Sequence, residues 1–141
     1  METVKILALT MLSGTIAQSI KVFTYFLQHK KFNLKRFFET GGMPSSHAST
    51  AATLTFSLGF WTGFNSPIFA CAAFFAFVIM YDAAGLRRAA GKQAAVINKM
   101  IEEFKNTHQF KEERLMELLG HTPLEVFLGA LLGIVISVLF K

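Results

Sequence analysis

Four long apolar stretches constrain this chain more than any other feature: about Val4 to Leu27, Ser46 to Gly63, Pro67 to Ala84 and Pro123 to Phe140. Each approaches the roughly 20 apolar residues that take a helix across a bilayer. The second, rich in Ala, Ser and Thr, and the fourth are near the short end of that range, which a bundle of mutually shielding helices tolerates. The expectation is an all-α polytopic membrane bundle of about four transmembrane helices, one domain over residues 1–141. Composition agrees: 52% of residues are hydrophobic, 16% are charged, and sixteen Phe stand against two Tyr and one Trp. These values exclude a disordered chain, a disulfide-stapled secreted module and an ordinary cytosolic enzyme. Cys71 is alone in an apolar run and reads as a packing residue.

The net charge of +5 is placed as a topology signal and not as a nucleic-acid patch. Four of the fourteen Lys and Arg lie between Lys30 and Arg36, and seven lie between Arg87 and Arg114. The short loop at 62–66 has no charge. With four spans both basic loops share one side, and the positive-inside rule makes that side cytoplasmic. An inner or plasma membrane protein with both termini outside is expected. Lys5, a short apolar run and Thr15-Ile16-Ala17 imitate a cleaved signal, but the apolar pattern resumes through Ile20, Val22, Phe23 and Phe26, which favours a retained span. In the 85–122 loop, Ala95, Ile97, Met100, Ile101 and Phe104 recur at helical spacing. A break at Asn106-Thr107 and a second helical stretch from about Phe110 to Leu119 follow, and both stretches read as cytoplasmic amphipathic helices.

Chemistry concentrates in a few places. In Gly41-Gly42-Met43-Pro44-Ser45-Ser46-His47, two glycines permit tight turning, and Pro44 suits the first turn of a helix. Ser45 and Ser46 offer hydroxyls and amides at that helix start, a natural anion site, and His47 can exchange a proton near neutral pH. The same segment is equally an ordinary Ser N-cap with an interfacial histidine. Arg87 and Arg88, just past Asp82, are snorkelling anchors or a bidentate phosphate clamp. Thr122, Pro123 and Glu125 form a capping box, which leaves His121 unexplained unless Glu125 orients its imidazole. Lys21, with Gln18 on its own face at i−3, snorkels or else faces an interior cavity.

Loop charge brings Lys21, Arg36, Ser45, Ser46, His47, Arg87, Arg88, His121 and Glu125 to one side. Two histidines, paired serines and several cations suit phosphoryl transfer: cations hold the non-bridging oxygens, one histidine attacks and the other protonates the leaving group. No carboxylate cluster for a two-metal site and no Walker-type loop occurs in the sequence, so neither a metal nor a cofactor is expected.

In Gly-Gly-Met-Pro-Ser-Ser-His at 41–47, Asp-Ala-Ala-Gly-Leu-Arg-Arg at 82–88 and Leu-Leu-Gly-His-Thr-Pro at 118–123, the chain resembles the divergent branch of the type-2 phosphatidic-acid phosphatase and vanadium haloperoxidase superfamily. The resemblance covers essentially the whole length. It implies that Lys21 and Arg36 supply the first motif, Ser45, Ser46 and His47 the second, and Arg88 or Arg87 with His121 the third. By the same resemblance His121 is the nucleophile, His47 the general acid, and Glu125 stands for the aspartate that orients the nucleophile. Ser46 replaces the family's glycine, no proline follows Arg36, and more than thirty residues separate Arg88 from His121. The implied function is a membrane phosphatase acting on a lipid phosphate monoester or diphosphate through a phosphohistidine. The contrasting expectation is a non-catalytic scaffold or lipid-phosphate-binding protein that keeps the fold. Gly129-xxx-Gly133 points to close helix packing, within the chain or between copies in a homo-oligomer.

Overall fold

The computed structural model describes residues 2–31, 33, 37–39, 41–105 and 120–141, the side chains of Glu2, Gln28, Leu86, Arg87, Arg88 and Lys105 excepted. Five helices form among the described residues: α1 (Glu2–His29), α2 (Ser46–Thr62), α3 (Pro67–Ala84), α4 (Leu86–Lys105) and α5 (Pro123–Leu139). The expected all-α membrane bundle is what the chain adopts. Thr3–Leu27 in α1 and the stretch beginning at Pro67 are long and apolar enough to cross a bilayer, and Pro123–Leu139 is a shorter apolar helix.

Caps set the helix starts. Ser45, Ser66 and Thr122 each adopt an extended backbone and accept an amide hydrogen bond, from Ala48, Phe69 and Glu125 respectively. Pro67 and Pro123 open their helices where no amide hydrogen is required. Pro44 does not do so: it precedes the Ser45 cap and follows a cis peptide bond, outside the helix it was expected to begin.

The junction after α3 also differs from expectation. Residues 86–94, read as loop, are helical, and Gly85 is the single turn residue between α3 and α4. The Gly85 amide donates to Tyr81 O at 2.9 Å and the Ala89 amide to Gly85 O at 3.0 Å, so helical bonding continues through the glycine. Gly85, the C-cap of α3, stays right-handed at φ −104°, so α4 follows α3 after that one residue with no loop between them. Val96, Ile97, Met100 and Phe104 of α4 are exposed, while Ala94 and Asn98 are buried. The break at Asn106-Thr107 and the 110–119 stretch lie outside the described residues.

The interior is small and polar. Among the described residues, the largest fully buried side chains are His121, Thr53 and five serines. Phe74, Phe75, Phe77, Leu131 and Val135 face outward. Water would penalise that distribution, but lipid tails are as apolar as leucine, so small residues and interhelical hydrogen bonds set the packing. Ser13 Oγ lies 2.6 Å from Ser49 Oγ, and Thr53 Oγ1 donates to Ser13 Oγ at 2.7 Å, which joins α1 to α2. Ser137 Oγ donates to Thr53 O at 3.1 Å, which joins α5 to α2.

α2 and α5 run parallel at the centre. A Cβ on Gly129 would strike Ser45 O and Ala48 Cβ, and one on Gly133 would strike Ser49 O and Ala52 Cβ. The glycine pair therefore seats α5 on α2 inside the chain. Lys5 covers the Trp61 ring at 5.4 Å, which marks the end of the bundle where α1 begins and α2 ends.

Candidate active site

At the opposite end, main-chain bonds tie three helix termini together. The Ser45 amide donates to Glu125 O at 2.9 Å, linking the start of α2 to α5. The His121 amide donates to Ala83 O at 2.9 Å, linking the approach to α5 with the last turn of α3. Gly41 and Gly42, at φ 95° and 80°, turn the chain sharply into α2, and the Gly42 backbone passes beside the Lys21 side chain.

These ties bring the two histidines together. The His47 and His121 rings meet edge to face with centroids 5.9 Å apart. His121 is 1% exposed. Its Nδ1 lies 3.1 Å from Glu125 Oε2, and the same oxygen accepts the Thr122 amide at 3.0 Å. One carboxylate thus closes the capping box and backs the imidazole. With Nδ1–H directed at a carboxylate, Nε2 carries the lone pair, and this buried Nε2 has no hydrogen-bond partner among the described residues.

Burial holds the His121 ring below the usual imidazole range, and the Lys21 charge acts in the same direction. Glu125, through its hydrogen bond and charge, and the Gly42 carbonyl oppose them. The balance favours the neutral ring at pH 7, the form that can act as a nitrogen nucleophile.

Lys21 does not snorkel. It is 5% exposed, and its Nζ is buried without a hydrogen-bond partner among the described residues. Gln18 Oε1, one turn earlier, is likewise buried and unpartnered. Beside them opens a cavity of about 360 Å³, whose lining includes Lys21, Tyr25, His29, Gly42, Leu124 and Glu125. Neither His47 nor His121 lines it.

Ser45 is fully buried, with its Oγ capping α2 and its amide on Glu125, whereas Ser46 and His47 are half-buried in the first turn. Arg36 lies outside the described residues. Arg87 and Arg88 fall in the first turn of α4, and their side chains are outside the described set. No group of three His, Cys, Asp or Glu side chains gathers as a metal-ligand set among the described residues. Residues missed by sequence reasoning are Tyr25 and His29, although their spacing of four from Lys21 placed them on its face.

A bundle with an inverted core, carrying a carboxylate-backed histidine pair beside a buried lysine, defines a class of helical membrane protein. The model of the Divergent PAP2 family matches residues 3–136, and the chain belongs to that family. It is 41% identical over 132 residues to "Uncharacterized membrane protein YuiD" of Bacillus subtilis (strain 168), an alignment covering 86% of this chain and 84% of the relative. No solved structure matches the chain. It is a PAP2-related integral membrane protein.

Proposed function

We propose that the chain is a single-domain lipid phosphatase that cleaves a phosphate monoester or diphosphate through a phosphohistidine. The observation that carries this reading is the His121 geometry: Nδ1 held by Glu125 at 3.1 Å and a buried Nε2 left without a partner. His121 Nε2 attacks phosphorus while the bond to the leaving oxygen breaks, and His47 gives that oxygen its proton. His47 then takes a proton from water, whose oxygen attacks the phosphohistidine, releasing inorganic phosphate and restoring both rings. Lys21, Arg36, Arg87, Arg88 and the Ser45–Ser46 helix start hold the phosphoryl oxygens. The lipid tail stays in the bilayer, and the clustering of Lys and Arg at 30–36 and 87–114 supports a site on the cytoplasmic face of an inner or plasma membrane.

A second reading, a binding protein that retains the fold without turnover, draws on one observation. His121 is 1% exposed and does not line the adjoining cavity. Detergent-purified protein incubated with a panel of lipid phosphates in EDTA separates the two. The wild type should release phosphate, and His121→Ala should abolish release. Full activity in His121→Ala removes the nucleophile assignment, and no release from any substrate by folded wild type favours binding without turnover.

A further inference from the structure

The cavity beside His121 is longer than one phosphate needs. Lys21, Tyr25 and His29 line it from one face of α1. Its two ends therefore lie two helical turns apart, about 12 Å by helical rise. Its volume of about 360 Å³ corresponds to about twelve water molecules. That is ample for the nine heavy atoms of a diphosphate and generous for the five of an orthophosphate.

The two ends also differ in character. At the inner end Lys21 Nζ is buried without a partner among the described residues, and its charge is felt at His121. At the outer end His29 is exposed but held in place. Its ring stacks on Tyr25 with centroids 4.3 Å apart and an interplanar angle of 17°, and its Nδ1 lies 3.3 Å from Tyr25 O. With Nδ1–H directed at that carbonyl, Nε2 is left for a ligand, and in the doubly protonated ring it donates a hydrogen bond to an anion.

We infer that His29 is a specificity-determining residue, forming a second anion subsite that makes the site selective for lipid diphosphates over monophosphates. This rests on the phosphatase reading: one phosphoryl group sits between Lys21 and His121, and the other reaches His29.

The test compares a lipid monophosphate and the diphosphate of the same tail. His29→Phe keeps the stack on Tyr25 and removes the ring nitrogens, whereas His29→Arg puts N–H donors back at that position. The wild-type ratio of kcat/KM for diphosphate over monophosphate should fall about tenfold in His29→Phe, the worth of one charge-assisted hydrogen bond, and recover in His29→Arg. An unchanged ratio, or equal loss on both substrates, overturns the inference. Calorimetric titration with inorganic pyrophosphate and orthophosphate decides it without turnover. The wild type should prefer pyrophosphate and His29→Phe should lose that preference; equal affinities in the wild type overturn the subsite even where phosphatase activity stands.

Discussion

Gly133→Ala puts a methyl group where α5 meets the backbone of α2. The new Cβ would press on Ser49 O and lie 2.9 Å from both Ala52 Cβ and Thr53 N. Ordinary contact begins at 3.4 Å, and peptide atoms cannot rotate aside as a flexible side chain can. The helices must part by about 0.5 Å or more, comparable to one extra methylene in a packed core. Thr53 Oγ1 to Gly133 O at 3.2 Å and Ser137 Oγ to Thr53 O at 3.1 Å then stretch beyond hydrogen-bonding reach. Overpacking costs about 1–3 kcal/mol, and two interhelical bonds about 0.6 kcal/mol each. Alanine's better helix propensity returns about 1 kcal/mol. The net expectation is destabilisation by about 1–3 kcal/mol, read as a lower midpoint when protein in mild detergent is titrated with SDS and followed by circular dichroism. A midpoint equal to or above wild type refutes the assignment of Gly133 to this close crossing.

Glu125→Gln keeps an oxygen for the Thr122 amide but loses the charge facing the imidazole. Its kcat/KM should drop about 10- to 150-fold, the equivalent of 1.5–3 kcal/mol, with an unchanged far-ultraviolet spectrum, and wild-type turnover would contradict the orienting role. Lys21→Met removes a charge that holds the His121 ring down, so the ring's titration, followed by NMR, should move upward. Because the unfolded ring takes up its proton near 6.5 and the folded ring only at lower pH, unfolding absorbs a proton in that window. The His121 contribution to stability is therefore lost as pH falls through 6.5, and His121→Asn should flatten the decline.

Much of the scaffold is legible because its signals are local. Pro67–Ala84 begins and ends where the apolar run does, and the Thr122–Glu125 box announces α5. The pairing of His47 with His121 needed the loop-charge topology, which correctly put the start of α2 and the approach to α5 at one end. The core was harder. Hydrophobic periodicity finds buried faces only where the outside is water, and here Ser13, Ser49 and Thr53 are inside while Phe74 and Phe75 face out. Lys21 carried no mark in the sequence to separate snorkelling from burial, because both place a lysine near a helix end. The start of α4 was hidden because Gly85 caps α3 in a right-handed conformation, so a new helix begins one residue on where the basic segment read as loop.

The links Ser45 N–H to Glu125 O and His121 N–H to Ala83 O have an evolutionary consequence. Both use peptide groups, which every residue but proline supplies in full. A lineage can exchange either histidine, and so lose the proposed chemistry, while the frame around that position persists. Inactive descendants would keep the shape of their ancestor, and a retained fold in this family says little by itself about retained turnover.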